Sequence, residues 1–222
     1  MAETVTEVLV ETFLTLVSGI GWCIVYEECI RLGLRDKTCS MPFFALALNF
    51  AWEVIYFIGD YFFAFHGEFT GFPPIQILAN GIWACLDVVI LYTWFKYGKQ
   101  SWPQSMDKKW FTPWSISAVV ISFVIQLTFL VEFGGFYAAI YSAYLQNVVM
   151  SILFLTTMVK NGNTRGQSML LAVAKWLGTL APALLTGVVG GLNIYVVVMG
   201  ILCSFFDVIY IGLLWNWKKQ GK

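Results

Sequence analysis

Long apolar runs separated by short polar breaks dominate the chain, and the runs carry inward stripes of polar and aromatic side chains. Seven helices are predicted, roughly 6–30, 41–63, 73–97, 112–132, 135–160, 167–188 and 191–216. Each is long enough to cross about 30 Å of hydrocarbon. The breaks have turn chemistry. Ser40-Met41-Pro42 and Pro73-Pro74 start the second and third helices, and Thr112-Pro113 starts the fourth. Gly98, Gly134-Gly135, Asn161-Gly162-Asn163 and Gly190-Gly191-Leu192-Asn193 mark stops and turns.

Within the runs, polar residues recur at helical spacing. The second helix carries Asn49, Trp52, Glu53, Tyr56 and Asp60 on one face, and the third carries Gln76, Asn80, Trp83 and Asp87. The fourth contributes Ser122 and Gln126. The fifth has Tyr137, Tyr141, Tyr144 and Ser151, and the seventh Gly200, Cys203, Asp207 and Tyr210. Such seams turn away from lipid and outline a central cavity. An Asn-x-x-Trp pattern occurs in both the second and third helices, too short to establish a repeat.

Composition agrees. Of 222 residues, 59% are hydrophobic and 12% charged, against about 45–50% and about 25% in soluble domains. Mean hydropathy is +0.75. The expectation is an all-α integral membrane protein, a single domain over 1–222 forming a seven-helix bundle. Net charge is zero, and no nucleic-acid partner is expected. Five dispersed cysteines and one histidine, His66, form no metal or disulfide pattern. The first residues, MAETVTEVLVE, lack the basic start of a cleaved signal peptide.

Charge placement orients the bundle. Arg31, Arg35 and Lys37 follow the first helix, Lys96, Lys99, Lys108 and Lys109 lie at or after the end of the third, Lys160 and Arg165 at or after the end of the fifth, and Lys218, Lys219 and Lys222 after the last. The other breaks have none. The positive-inside rule then puts the N-terminus outside or lumenal and the C-terminus in the cytoplasm. Only Lys175 lies inside a span, and it is expected to snorkel towards the same side. Asp60, Glu68, Glu132, Glu27 and Glu28 are read as solvated interfacial acids. The Phe-rich stretch 61–74 is read as an interfacial aromatic belt, with a lid as the alternative. The basic stretch 98–111 is expected to rest on the anionic leaflet.

Glu53, Asp87 and Asp207 are different. They lie about twelve residues from Met41, nine before Lys96 and eleven before Lys218, at similar depth by a 1.5 Å rise. An ionised carboxylate in hydrocarbon costs several kcal/mol. With no cation beside them, they read as neutral acids able to donate a proton. Aromatic faces nearby attract cations by about 0.5–2 kcal/mol each. This combination suits protonation of an apolar substrate that passes through carbocations, as in polyene or epoxy-polyene cyclisation. No DDxxD run is present, which speaks against diphosphate ionisation. The bland reading is that the acids hydrogen-bond across helices and hold the bundle together.

Leu48-Asn49-Phe50-Ala51-Trp52-Glu53, Asn80-Gly81-Ile82-Trp83-Ala84-Cys85-Leu86-Asp87 and Asp207 together resemble the small integral-membrane terpene cyclases of meroterpenoid and indole-diterpenoid pathways, the paspaline and pyripyropene types. The resemblance extends over essentially the whole chain. It implies Glu53 and Asp207 as the proton-donating pair, with Asp87, Asn49, Asn80 and Tyr210 supporting or tuning, and Trp52, Tyr56, Trp83, Tyr137 and Tyr141 lining the cavity and stabilising cations. It also implies an apolar prenylated substrate, epoxidised or olefinic, on an aromatic, polyketide or indole acceptor. A prenyltransferase and a flavin epoxidase would act upstream. No cofactor or metal is expected. The setting would be the endoplasmic reticulum membrane, or the cytoplasmic membrane of a bacterium. The rival is a proton-coupled transporter using its midplane acids, though no inverted repeat or discontinuous helix is visible. A retinal protein would need a deep Schiff-base lysine, and the last helix has none.

Overall fold

The structure is a computed structural model that describes residues 5–63 and 69–221. Those residues are helical with short connections and no strand. In chain order the elements are α1 (Val5–Asp36), α2 (Phe43–Phe63), α3 (Pro74–Tyr97), α4 (Phe111–Asn161), α5 (Met169–Leu184) and α6 (Ile194–Lys219). By length and composition, six helical spans among the described residues can cross a membrane. The predicted fourth and fifth helices form the single element α4, whose helical geometry is interrupted at Gly134 (φ 72°, ψ 170°). That left-handed backbone costs glycine almost nothing and strains any other residue. The pair Gly134-Gly135 therefore redirects the chain without a loop.

Element ends follow local chemistry. α1 runs six residues beyond its expected end and stops at Lys37, at φ 51°, where the Thr38 amide donates to the Gly33 carbonyl. Pro74 opens α3. Ser168 caps α5 by accepting from the Leu171 amide, and Asn193 caps α6 by accepting from Val196. The last helix thus begins three residues later than the apolar pattern predicts, because Gly191 at φ 113° cannot continue a helix. Pro182 inside α5 has no amide for the Gly178 carbonyl, and the Ser18 hydroxyl donates to that oxygen instead. A π-helical turn, Leu185–Val189, follows, which shortens the predicted 167–188 helix as an α-helix.

The chain packs as two compact units. One comprises the residues up to Glu28 and those from Asn147 onward; the other is Cys29–Gln146. In the first, α5 packs on α6, with Gly200 so close to Ala183 that an added Cβ would lie 2.7 Å from its methyl. There α1 crosses α5 where Gly21 meets the Gly178 backbone. In the second unit, α2 packs on α3. Phe43, Trp94, Trp102, Phe111 and Trp114 form an aromatic cluster at the start of α2 and the end of α3. The predicted surface stretch 98–111 is therefore anchored by its own Trp102, which is buried.

Two acids expected in solvent are buried. Asp60 accepts from both the amide and the hydroxyl of Thr70, and Glu28 accepts from the Ser168 hydroxyl. Both find donors at chain turns, which relieves the cost of removing them from water. Glu27 and Glu132 are exposed, as expected. Glu68, His66 and the centre of the 61–74 stretch lie outside the described residues.

Candidate functional site

The inward stripe of α2 is as its spacing predicts: Asn49, Trp52, Glu53, Tyr56 and Asp60 are all buried. Asn80, Trp83 and Asp87 on α3 are buried too. Trp52 and Tyr56 pack with Ala138 and Ala139 and are covered by Phe69, Phe72, Phe129 and Leu130. The Trp52 indole donates to the Ala139 carbonyl at 2.9 Å, which aims its ring. Phe69 sits in a notch left by two glycines. A Cβ at Gly59 would lie 2.0 Å from its ring, and one at Gly135 would lie 1.9 Å from its carbonyl oxygen.

Beside this aromatic cluster runs a chain of buried amides. Gln126 Nε2 donates to Gln146 Oε1 at 2.8 Å, Gln146 Nε2 to Asn49 Oδ1 at 3.3 Å, and Asn49 Nδ2 to Asp87 Oδ2 at 2.9 Å. Asp87 Oδ1 is buried without a hydrogen-bond partner among the described residues, as is Asn80 Nδ2. Asn80 Oδ1 accepts from Gln76. Glu53 lies one turn after Asn49 on the same face of α2 and is 3% exposed. Gln146 escaped the sequence reading. Its signal is the row of small and polar positions Ala138, Ala139, Ser142 and Gln146, all buried.

That row also corrects the fifth stripe. Tyr137, expected to line the cavity, is 53% exposed, and Tyr141 is half-buried with its ring tilted against that of Tyr137. Past Gly134 the close approach of the backbone to Phe69 and Trp52 requires small residues inside, so Ala138 and Ala139 face in and the bulkier Tyr137 faces out. Tyr144 and Ser151 are buried as expected.

In the other unit the stripe of α6 is inward throughout, with Gly200, Cys203, Asp207 and Tyr210 buried. Asp207 is not free of cations. Lys175 Nζ donates to Asp207 Oδ1 at 2.8 Å, to Oδ2 at 3.0 Å and to Ser151 Oγ at 2.7 Å. Both charged side chains are wholly buried, and the ammonium also lies 5.9 Å from the centre of the Phe154 ring. The expectation that Lys175 snorkels is overturned. An ammonium with a carboxylate within reach at its own depth is better held there than by stretching past its own helix, and its three hydrogens find three acceptors. Tyr210 donates to Gln167 and packs its ring on Phe154.

Glu53, Asp87, Asn49, Asn80, Trp52, Tyr56 and Trp83 thus belong to one unit, and Asp207 and Tyr210 to the other. Among the described residues, no three His, Cys, Asp or Glu side chains converge to hold a metal ion.

Comparison with known proteins gives a consistent result. The family model of Pyr4-like transmembrane terpene cyclases matches residues 2–189. A Pyr4-family terpene cyclase of Annulohypoxylon moriforme is 25% identical over 176 residues, which cover 77% of this chain and 67% of that protein. Terpene cyclase pyr4 of Aspergillus fumigatus is 23% identical over 215 residues, covering 92% of this chain and 86% of its own. Asnovolin H synthase of Aspergillus novofumigatus is 28% identical over 171 residues, 75% of this chain and 65% of its own. No solved structure matches.

Proposed function

Because the chain belongs to the Pyr4-like transmembrane terpene cyclases, we propose that it cyclises an apolar prenyl chain carried on an aromatic, polyketide or indole acceptor, starting from proton delivery by Glu53. The observation that carries this reading is Glu53 itself. It is a buried acid on the face of α2 that also carries Trp52 and Tyr56. A proton donated there opens a terminal epoxide or adds to a terminal alkene. The carbocation that follows then travels among aromatic faces, which stabilise it without bonding to it. The family match favours this reading over a proton-coupled transporter.

Asp207 is the second acid of this reading. Lys175 holds it as the anionic member of a buried pair, so Glu53 is the donor of the two. The seven-span arrangement counts α4 as two spans broken at Gly134, with a lumenal N-terminus and a cytoplasmic C-terminus. The placement of the basic residues supports it. The endoplasmic reticulum is the proposed membrane, with a prenyltransferase and a flavin epoxidase supplying the substrate.

The test uses microsomes containing the chain and orcinol bearing an epoxyfarnesyl or epoxygeranylgeranyl chain, with products resolved by mass and NMR. Cyclised isomers of unchanged mass are expected from the wild type and none from Glu53→Gln at equal protein level. Full turnover by Glu53→Gln would refute the donor role. Because Asp207→Asn strands the Lys175 charge, Asp207 is tested in the neutral pair Lys175→Gln/Asp207→Asn, which is expected to be inactive.

A further inference from the structure

The amide chain ending on Asp87 has a direction. In Gln126, Gln146 and Asn49 alike, the N–H end points along the chain towards Asp87, and in Gln146 and Asn49 the carbonyl end accepts from the residue behind. All four side chains are buried. Only a carboxyl at one end makes this order obligatory, because a carboxylate oxygen can accept but not donate. Asp87 Oδ2 is therefore occupied, and its plane is set by three successive amides. Among the described residues Oδ1 is left buried and without a hydrogen-bond partner. A residue that merely tied helices together would be expected to engage both oxygens, since an unmet buried acceptor costs about 1–3 kcal/mol. Asp207 shows that alternative, with both oxygens on Lys175. Asn49 joins the Asp87 carboxyl to the face of α2 that carries Glu53 one turn on, and side chains four residues apart on a helix are neighbours.

We propose that Asp87 is the proton acceptor that ends the cyclisation, and that Asn49, Gln146 and Gln126 are positioning residues that present its Oδ1. This rests on the cyclase reading above. In the step, a C–H bond next to the last cationic carbon breaks. Its electron pair forms a carbon–carbon double bond, and the proton passes to Oδ1 of the carboxylate form, the form to which the Asn49 amide donates, in place of the neutral acid that the sequence leads one to expect; the carboxylate becomes a carboxylic acid. One proton enters the substrate from Glu53 and one leaves to Asp87, so product and substrate are isomers. Exchange with solvent returns Asp87 to the carboxylate and Glu53 to the acid. A substrate hydrogen reaching Oδ1 meets no competing donor.

The experiment follows substrate consumption and product ratio separately, in microsomes given epoxyfarnesyl orcinol, with folded protein equalised by detergent gel filtration. Asp87→Asn is read by its product ratio, normalised to whatever substrate it consumes. It should lower the share of the wild-type alkene product at least tenfold, in favour of other alkene isomers and water-quenched alcohols. Gln146→Met, which keeps the volume and loses both hydrogen bonds, should shift the ratio the same way by a smaller factor, and Asp87→Glu should restore it. An unchanged product ratio in Asp87→Asn overturns the proposal and leaves the cyclase reading intact, provided Glu53→Gln still abolishes consumption. If Asp87→Asn does not accumulate folded, an unchanged ratio in Gln146→Met overturns it. No consumption by the wild type overturns both.

Discussion

Lys175 and Asp207 form a wholly buried ion pair in which one ammonium touches both carboxylate oxygens, at 2.8 and 3.0 Å. The pair joins α5 to α6, and Ser151, also bound to Lys175, adds the end of α4. Removing one partner leaves a charge in an apolar interior. Lys175→Met is expected to destabilise the protein by about 3–5 kcal/mol, while Lys175→Met/Asp207→Leu recovers most of that loss. Thermal unfolding in detergent, read as a double-mutant cycle, measures the difference. Equal losses in the single and double variants would show that the pair contributes through packing alone.

Two glycines make opposite predictions. A Cβ at Gly135 would sit 1.9 Å from the Phe69 carbonyl oxygen, whereas one at Gly19 meets nothing within 4 Å. Gly135→Ala must displace backbone and is expected to lose about 2 kcal/mol or more. Gly19→Ala, inside α1, should be neutral or gain up to about 1 kcal/mol. Unfolding midpoints of the two variants, measured side by side, provide the check.

Thr70 tethers the segment that brings Phe69 and Phe72 onto Trp52 and Tyr56. Its hydroxyl donates to Asp60 and accepts from the Phe72 amide. Thr70→Val keeps the shape and strips both bonds, with an expected loss of about 1–3 kcal/mol. The Phe72 amide should exchange hydrogen faster in Thr70→Val and at the wild-type rate in Thr70→Ser. Wild-type exchange in Thr70→Val would remove the tether from the argument.

Cys39, between α1 and α2, donates to the Met41 carbonyl at 3.1 Å. Part of the residue reaches the surface, but its thiol is enclosed. Burial pushes that thiol from 9.0 up to about 12, against the opposing pull of hydrogen bonds with Thr93 and Met41. At pH 8 its thiolate is roughly 10³-fold scarcer than that of an ordinary cysteine, and alkylation should slow accordingly until detergent denaturation exposes it. The raised value means the fold favours the protonated thiol. Its stabilising contribution is complete below about pH 9 and is lost as pH climbs from about 9 towards about 12. Equal alkylation rates for native and denatured protein would contradict the enclosed thiol.

Much of the site is legible from spacing. Asn49, Trp52, Glu53 and Tyr56 repeat every three or four residues, and α2 cannot bury one without the others. The same holds for Asn80, Trp83 and Asp87 on α3, and for Cys203, Asp207 and Tyr210 on α6. Tyr137 shows where spacing stops working. Its stripe is as regular as the rest, but the backbone approach at Gly135 and Ala139 gives the inward side to small residues. Lys175 stands out in the sequence as the one basic residue deep inside a span, but its spacing does not say that it meets Asp207.

The sequence by itself determined that the chain folds as helices apolar enough to span a membrane, and it determined the inward faces of α2, α3 and α6. Hydrocarbon forces backbone hydrogen bonds into helices, and 3.6-residue periodicity collects polar groups on one side. Tertiary structure alone decided which polar group meets which: Lys175 with Asp207, Asn49 with Asp87, Thr70 with Asp60. Those partnerships depend on helix rotation and on distances of a few ångströms, set by where glycine and alanine let backbones approach. One-dimensional spacing carries no record of either.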